Sequence, residues 1–359
     1  MPVKKSSSIP LINGYFLCRR LTGIERYAYE ITKRLDLLIQ PGEISIIVPA
    51  DAENVPKYTN ITIIRHGKKI QHVLWQMFTL QFFLLFHRRY LIIDFGNTCL
   101  PFAPGIVFLH DIYCEFFPED FSSFWDKIAR IYNRWQYRLI ARKAKMIGTV
   151  SNFSKNQIAE TYHVDPDRIC VIYSSWNHFL TINPDYTVFN DYPVLSKPFY
   201  FSLGSISRRK NIKWIVDYAL EHPSDIFVLA GDKLPTASSS LSGTAPKNII
   251  LLSYLNDSKV KALMERCKAF ILPSYYEGFG LTPLEALSCG TQIIVANAAS
   301  LPEIYKNTAH YIDPFNTNIN LDTLLMDKVD PPDEILKKYS YDDAAQKVYD
   351  LITKVLTAQ

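Results

Sequence analysis

The stretch "SYYEGFGLTPLEALSCG", Ser274 to Gly290, sets two carboxylates, Glu277 and Glu285, eight positions apart, with glycines and a proline between them. The apolar run "AFILPS" just before it reads as a buried strand. "TPLEALSCG" reads as a helix, with Thr282 as N-cap, Pro283 at the first helical position and Gly290 past the end. A loop that leaves a strand and enters a helix presents free backbone N–H groups and the positive end of a helix dipole, which suits a phosphate. Gly280, Leu281 and Thr282 supply those N–H groups, and Glu277 is placed to reach a ligand's hydroxyls. Glu285 has two readings. Thr282-x-x-Glu285 has the form of a capping box, and the same carboxylate can instead bind a ligand.

Outward from this stretch, short β-branched runs alternate with helical segments. The first half offers "EISIIVP", "ITIIRH", "YLIIDF", "GIVFLHD", "MIGTVS" and "RICVIY". The second offers "PFYFSLGS", "DIFVLAGD", "NIILLSYL", "AFILPS", "TQIIVANA" and "AHYID". Strands this apolar are covered on both faces, as in parallel sheets. Alternation carried out twice predicts two doubly wound α/β domains of the Rossmann type, facing across a cleft where ligands bind at the carboxyl ends of the strands. The expected limits are 1–180 for the first domain, a linker at 181–197 where "TINPDYTVFNDYPVLSK" lacks helical period, 198–340 for the second domain, and a last segment at 341–359.

Two more clusters belong at strand ends. In "FSLGSISRRKNIKW", Gly204 allows a tight turn, and Arg208, Arg209 and Lys210 precede a helix starting near Asn211. Cations there would complement a diphosphate. In "GIVFLHDIY", His110 ends a strand, where it is either structural or catalytic. Asp165-Pro166-Asp167 reads as a turn before a strand, not as a metal ligand pair, and no metal or other cofactor is expected.

Composition narrows the class. With 48% apolar and 21% charged residues the chain is globular rather than disordered. Six cysteines without a C-x-x-C pair read as reduced thiols of a cytoplasmic protein, and "MPVKKSSSIPLING" lacks the apolar core of a signal peptide. Residues 1–180 hold 22 Lys+Arg against 15 Asp+Glu, and residues 181–359 hold 17 against 20, so the halves carry +7 and −3. The modest charge and the lack of a binding motif argue against nucleic acid. Arg130, Arg134, Arg138 and Arg142 recur every fourth residue, as a solvated face or as a contact for anionic lipid. "IQHVLWQMFTLQFFLLF", residues 70–86, is short and polar for a membrane span. It reads as a buried helix, with an interfacial helix as the alternative.

Taken together, these motifs resemble the family 4 glycosyltransferases, retaining enzymes of the GT-B fold of the kind used in bacterial surface polysaccharides. The resemblance covers nearly the whole chain. Its signature, PS-x-x-EGFG-x-x-x-LEA-x-x-x-G, stands here as Pro273-Ser274-Tyr275-Tyr276-Glu277-Gly278-Phe279-Gly280, then Leu284-Glu285-Ala286 and Gly290. "TGIERYAYEI", "HD" at His110-Asp111, "TVSNFSK", "GSISRRKNI", "ASLPEI" and "YSYDDAAQKVYDLI" also fit. The resemblance implies that Arg209 and Lys210 neutralise the leaving nucleoside diphosphate, Glu277 holds donor-sugar hydroxyls and Glu285 binds the ribose. It implies that Gly23 lies near the donor phosphates, that His110 lines the reaction centre, and that Tyr254 and Leu255 touch the base. The last helix would cross back to the first domain, which would bind the acceptor.

The implied partners are a nucleotide-sugar donor, either GDP-mannose or a UDP-hexose, and a saccharide or lipid-linked acceptor, with peripheral contact at the inner membrane face. The alternative is a non-catalytic subunit of the same fold that partners an active transferase. Two departures stand out. Ser174-Ser175-Trp176-Asn177-His178 replaces a common N-G-V-D turn, and Ser205 stands where other members carry Arg. Both bear on acceptor or phosphate detail.

Overall fold

A computed structural model describes residues 8–204, 207–231 and 246–358. Ser205, one of the two departures, lies outside them. The chain divides into two compact units. The first holds the chain as far as Phe116, then Ser123–Ser174, and the chain from Tyr341 onward; the second holds Phe117–Ser122 and Ser175–Ser340.

The first unit is built on a parallel sheet of seven strands among the described residues. They are β1 (Ile9–Asn13), β2 (Ser45–Val48), β3 (Thr62–Arg65), β4 (Tyr90–Asp94), β5 (Ile106–Phe108), β6 (Met146–Thr149) and β7 (Ile169–Val171), in the order β3-β2-β1-β4-β5-β6-β7. The second has six parallel strands among the described residues. These are β8 (Phe199–Leu203), β9 (Ile226–Ala230), β10 (Ile249–Leu252), β11 (Ala269–Leu272), β12 (Ile293–Ala296) and β13 (His310–Ile312), in the order β10-β9-β8-β11-β12-β13. Strand order reverses between β1 and β4 and again between β8 and β11. Such switch points leave a crevice outside the carboxyl ends of the strands.

β1 is the strand that the sequence pattern conceals. It lies between β2 and β4, with Leu11 and Ile12 fully buried. Its apolar run is short, and Pro10 argues against a central strand. Pro10 is tolerated as the second residue, where the ladder is just beginning.

The expected linker at 181–197 is not the boundary. The division falls after Ser174, and 181–197 is part of the second unit. Val188 and Leu195 are buried there, Asp185 N–H donates to Ser258 O at 2.9 Å, and Lys261 Nζ donates to the carbonyls of Phe179 and Ile182. A few apolar anchors in a polar stretch leave no period, so composition alone reads it as a tether. The last helix, Tyr341–Thr357, belongs to the first unit and packs on Gly23–Leu38.

Two helices of the first unit depart from their sequence reading. We call Gly23–Leu38 α1 and the continuous helix at 72–86 α2. α2 is buried on one side only. Trp75, Leu80, Phe83 and Leu84 enter the core beneath β1, β2 and β4, while Leu74, Phe78, Phe82 and Phe86 are exposed. Its middle, Trp75–Leu80, is π-helical, with Gln81 N–H donating to Gln76 O. In an α-helix, a four-residue step drifts about 40° around the axis. The wider π turn takes up that drift and keeps the exposed row on one face. α3 (Phe124–Lys143) has no such turn, so its four arginines rotate away from one another. Arg130 Nε donates to Cys114 O and Arg134 pairs with Glu115 at 2.6 Å, whereas Arg138 and Arg142 are exposed. The four do not form one solvated stripe.

Candidate active site

At the second unit's switch point, the loop after β8 meets the loop after β11, because these strands are neighbours. Past β8 the chain makes a tight turn, Arg208–Lys210, and enters the helix Ile212–Glu221, which we call α4. Asn211 joins them in the left-handed region, φ 54°. Its side-chain amide donates to Pro273 O at 3.0 Å and to Pro314 O at 2.8 Å, and Tyr275 N–H donates to Arg209 O at 2.8 Å. The two loops are therefore held backbone to backbone.

That clamp brings three charged side chains together. Lys210 Nζ lies 2.6 Å from Glu277 Oε1, and Arg209 Nη1 lies 3.4 Å from Glu277 Oε2 and 3.3 Å from Tyr276 O. Glu277 is only 6% exposed, although it lies in a loop. Burial pushes its carboxyl up, but Lys210 and then Arg209 outweigh that and hold it below its ordinary value. Ser300 Oγ donates to Glu277 O at 2.9 Å and fixes the backbone.

The helix that follows, α5 (Leu281–Ser288), starts two residues earlier than expected. Gly280 is its N-cap, at φ 80°, and Thr282 is already inside. The capping box of Thr282 with Glu285 is therefore not formed. Gly280 is required twice over: by its positive φ, and because a Cβ there would stand 2.5 Å from Leu301 Cδ2. Its carbonyl accepts from the Tyr305 hydroxyl. With no side chain capping it, α5 presents its first N–H groups around Leu281 and Thr282. Gly290 ends the helix at φ 78°, as the sequence indicates.

Glu285 points elsewhere. It is 6% exposed, and its Oε1 lies 3.1 Å from Nε2 of His178, itself 5% exposed. His178 belongs to the departure at Ser174 to His178, where Trp176 Nε1 also donates to Leu336 O at 2.9 Å. Sequence reading missed both this histidine and Asp120, whose Oδ1 accepts from Arg208 N–H at 3.1 Å. A lone histidine in a polar stretch carries no motif. Asp120 lies in a six-residue segment, Phe117–Ser122, that belongs to the second unit although the chain on either side of it belongs to the first.

Tyr254 and Leu255 follow β10, the edge strand, two strands away from β8. Tyr254 is 51% exposed. Gly23 and His110 lie in the first unit. Gly23 opens α1 and is exposed, with nothing near a Cβ placed on it. His110 follows β5 and is buried against Tyr27, ring centroids 5.1 Å apart. Its backbone N–H donates to Asn97 Oδ1 at 2.9 Å, and its Nε2 lies 2.9 Å from Phe95 O. A carbonyl only accepts, so Nε2 carries the proton. Burial lowers the pKa of His110, which keeps the ring neutral and leaves Nδ1 as an acceptor. Asp165 accepts from Asp167 N–H at 2.9 Å and caps a short turn.

Two family models account for most of the chain. "Glycosyltransferase Family 4" matches residues 21–175, and "Glycosyl transferases group 1" matches residues 190–320. The chain belongs to the family 4 glycosyltransferases. The O-antigen chain mannosyltransferase B of Escherichia coli is 26% identical to it over 334 residues, which cover 82% of this chain and 84% of that protein. Among solved structures, sucrose-phosphate synthase of Thermosynechococcus elongatus superposes with a TM-score of 0.71 at 15% identity, covering 98% of this chain and 100% of that one. HepE of Anabaena, in complex with UDP and glucose, gives 0.66 at 16% identity, covering 97% and 99%. The fold of this glycosyltransferase is GT-B, two Rossmann-like units with parallel sheets. The Arg209–Lys210–Glu277 cluster and Glu285 lie within the group 1 match, and His178 lies between the two matched regions.

Proposed function

We propose that this glycosyltransferase moves a hexose, with retention and without a metal, from a nucleotide-sugar donor to a saccharide or lipid-linked acceptor in surface-polysaccharide or lipopolysaccharide assembly. The observation that carries the reading is the set of charges at the β8–β11 switch point. Arg209 and Lys210 stand beside the uncapped start of α5, where a leaving diphosphate would gather two cations and several N–H groups. Charge develops on that diphosphate as the glycosidic bond breaks, and donors fixed in advance stabilise it without reorganising. Such an arrangement does in protein what a metal does in other transferases.

Glu277 is then the donor-sugar residue and Glu285 the ribose residue, with Gly23, Tyr254 and Leu255 completing the donor contacts. His110, neutral with a free Nδ1, is assigned to the reacting sugar. Retention follows from front-face attack, in which a departing phosphate oxygen takes the acceptor proton. The names of curated relatives favour mannose, and the UDP complex of HepE keeps UDP-hexoses open. We place the enzyme in the cytoplasm, in peripheral contact with the membrane.

A thermal-shift screen of nucleoside diphosphates, followed by donor hydrolysis and transfer assays with GDP-mannose and UDP-hexoses, tests the reading. Ligands that bind only the folded state raise the melting point. Absence of both stabilisation and turnover with every nucleotide sugar would overturn it.

A further inference from the structure

The first unit carries more exposed large apolar side chains on two helices than solubility alone explains. Leu74, Phe78, Phe82 and Phe86 form the outer row of α2, with Phe86 82% exposed. On α3, Phe124, Ile128, Ile131 and Trp135 repeat at steps of four, three and four residues, the period of one helix face. Trp125, 75% exposed, lies beside them in sequence.

These two rows belong to one surface. α2 joins β3 to β4 and α3 joins β5 to β6, both crossovers running in the same direction along the sheet. Right-handed crossovers in one direction put their helices on one face of the sheet. The loop 97–104 is held between them. Gln76 and Gln81 of α2 bond to Thr98 Oγ1 and Phe102 N–H, and Gln136 and Lys143 of α3 bond to Cys99 N–H and Pro101 O. Phe102, at the tip of this loop, is 73% exposed.

Cations rim the same surface. Lys143 Nζ sits 6.0 Å over the Phe102 ring, and Arg88 and Lys145 line a hollow of about 400 Å³ with Phe102 and Leu85. Arg138 and Arg142 continue the outer face of α3 beyond Trp135. Apolar and aromatic side chains with a basic rim match the boundary of an anionic bilayer, where rings enter the headgroup region and cations meet phosphates. Among the described residues no helix is long and apolar enough to cross a membrane.

We propose that α2, the Phe102 loop and α3 form a single interfacial surface that seats this unit on an anionic membrane, with aromatic insertion carrying the attachment and Arg138 and Arg142 assisting. The proposal rests on the lipid-linked acceptor put forward above.

The full chain is tested against phosphatidylglycerol-containing vesicles and pure phosphatidylcholine vesicles at low and high salt. Readouts are cosedimentation and the tryptophan emission of the exposed Trp125 and Trp135. We expect binding to the anionic vesicles with a blue shift, about tenfold or more weaker for Phe78→Ser/Phe82→Ser/Phe86→Ser, with a remnant at high salt. Ile128→Ser/Ile131→Ser, on the other helix, repeats the test independently of any folding defect in the first variant. No binding by the wild-type chain at low salt overturns the proposal. So does binding by both variants as tight as that of the wild-type chain. A concentration-dependent dimer that the variants dissolve, without vesicle binding, also overturns it and assigns the surface to a second copy of the chain. Donor hydrolysis in vesicle-free solution is read on the same samples. Hydrolysis without membrane binding sinks this inference alone, and membrane binding without any nucleotide-sugar turnover sinks the proposed function instead.

Discussion

Lys210 Nζ lies 2.6 Å from Glu277 Oε1, and the carboxylate is almost fully buried. A buried charge that loses its partner is costly, so this pair holds the structure together as well as belonging to the proposed donor site. Glu277→Ala is expected to abolish most transfer and to cost about 3–5 kcal/mol of stability, because Lys210 and Arg209 would be left facing each other. Circular dichroism during urea unfolding, read beside turnover, checks both parts. A variant as stable as wild type would show that the cations find solvent instead.

The same pair sets an acid limit. Lys210 and Arg209 hold the Glu277 carboxyl below its ordinary value of 4.5 despite burial. Its contribution to stability is therefore complete above about pH 4.5 and is lost as pH falls through the depressed folded value. Glu277→Gln should flatten the fall in stability within that acid window and leave the slope near neutrality unchanged. An unchanged acid slope in the variant assigns the loss to other carboxylates.

Arg209→Ala and Lys210→Ala should each weaken nucleoside diphosphate binding by roughly 1.5–3 kcal/mol, the worth of a charge-assisted hydrogen bond. The parent nucleoside, without phosphates, should be far less affected. Calorimetric titration of both ligands decides the matter, and equal losses for the two would mean that the cations act through Glu277 alone.

Replacing His178 removes the partner 3.1 Å from Glu285. His178→Ala should weaken nucleoside binding through a misplaced Glu285, and His178→Asn, which refills part of the ring's space, should recover part of it. The readout is nucleoside affinity beside that for free inorganic diphosphate. Parallel losses for both would point to a folding defect.

Gly280→Ala meets two obstacles, a φ of 80° and a Cβ 2.5 Å from Leu301 Cδ2. We expect about 1–3 kcal/mol of destabilisation, eased when Leu301→Ala is added to the glycine variant. A double-mutant cycle on unfolding midpoints measures the coupling, and strict additivity would place the whole cost in the backbone.

The sequence by itself determined the α/β alternation, twelve of the strands and the parallel character of both sheets. Each of these follows from short-range periodicity, which burial on both faces imposes on every strand. The residues of the glutamate signature and the Arg209–Lys210 pair were legible for the same reason, as fixed spacings at strand ends. Tertiary structure decided what those residues touch. That Glu277 is buried between two cations depends on β8 lying beside β11, which brings together Lys210 and Glu277, 67 residues apart, as no local pattern encodes. Glu285 met His178 rather than Thr282 because Gly280, in a left-handed conformation, began the helix two residues early. The arginines separated because an α-helix turns 100° per residue, while the apolar row of α2 stayed aligned through a π turn. Packing chose between readings that periodicity had left equal, because an element's own period says which of its faces are alike but not what lies opposite each one.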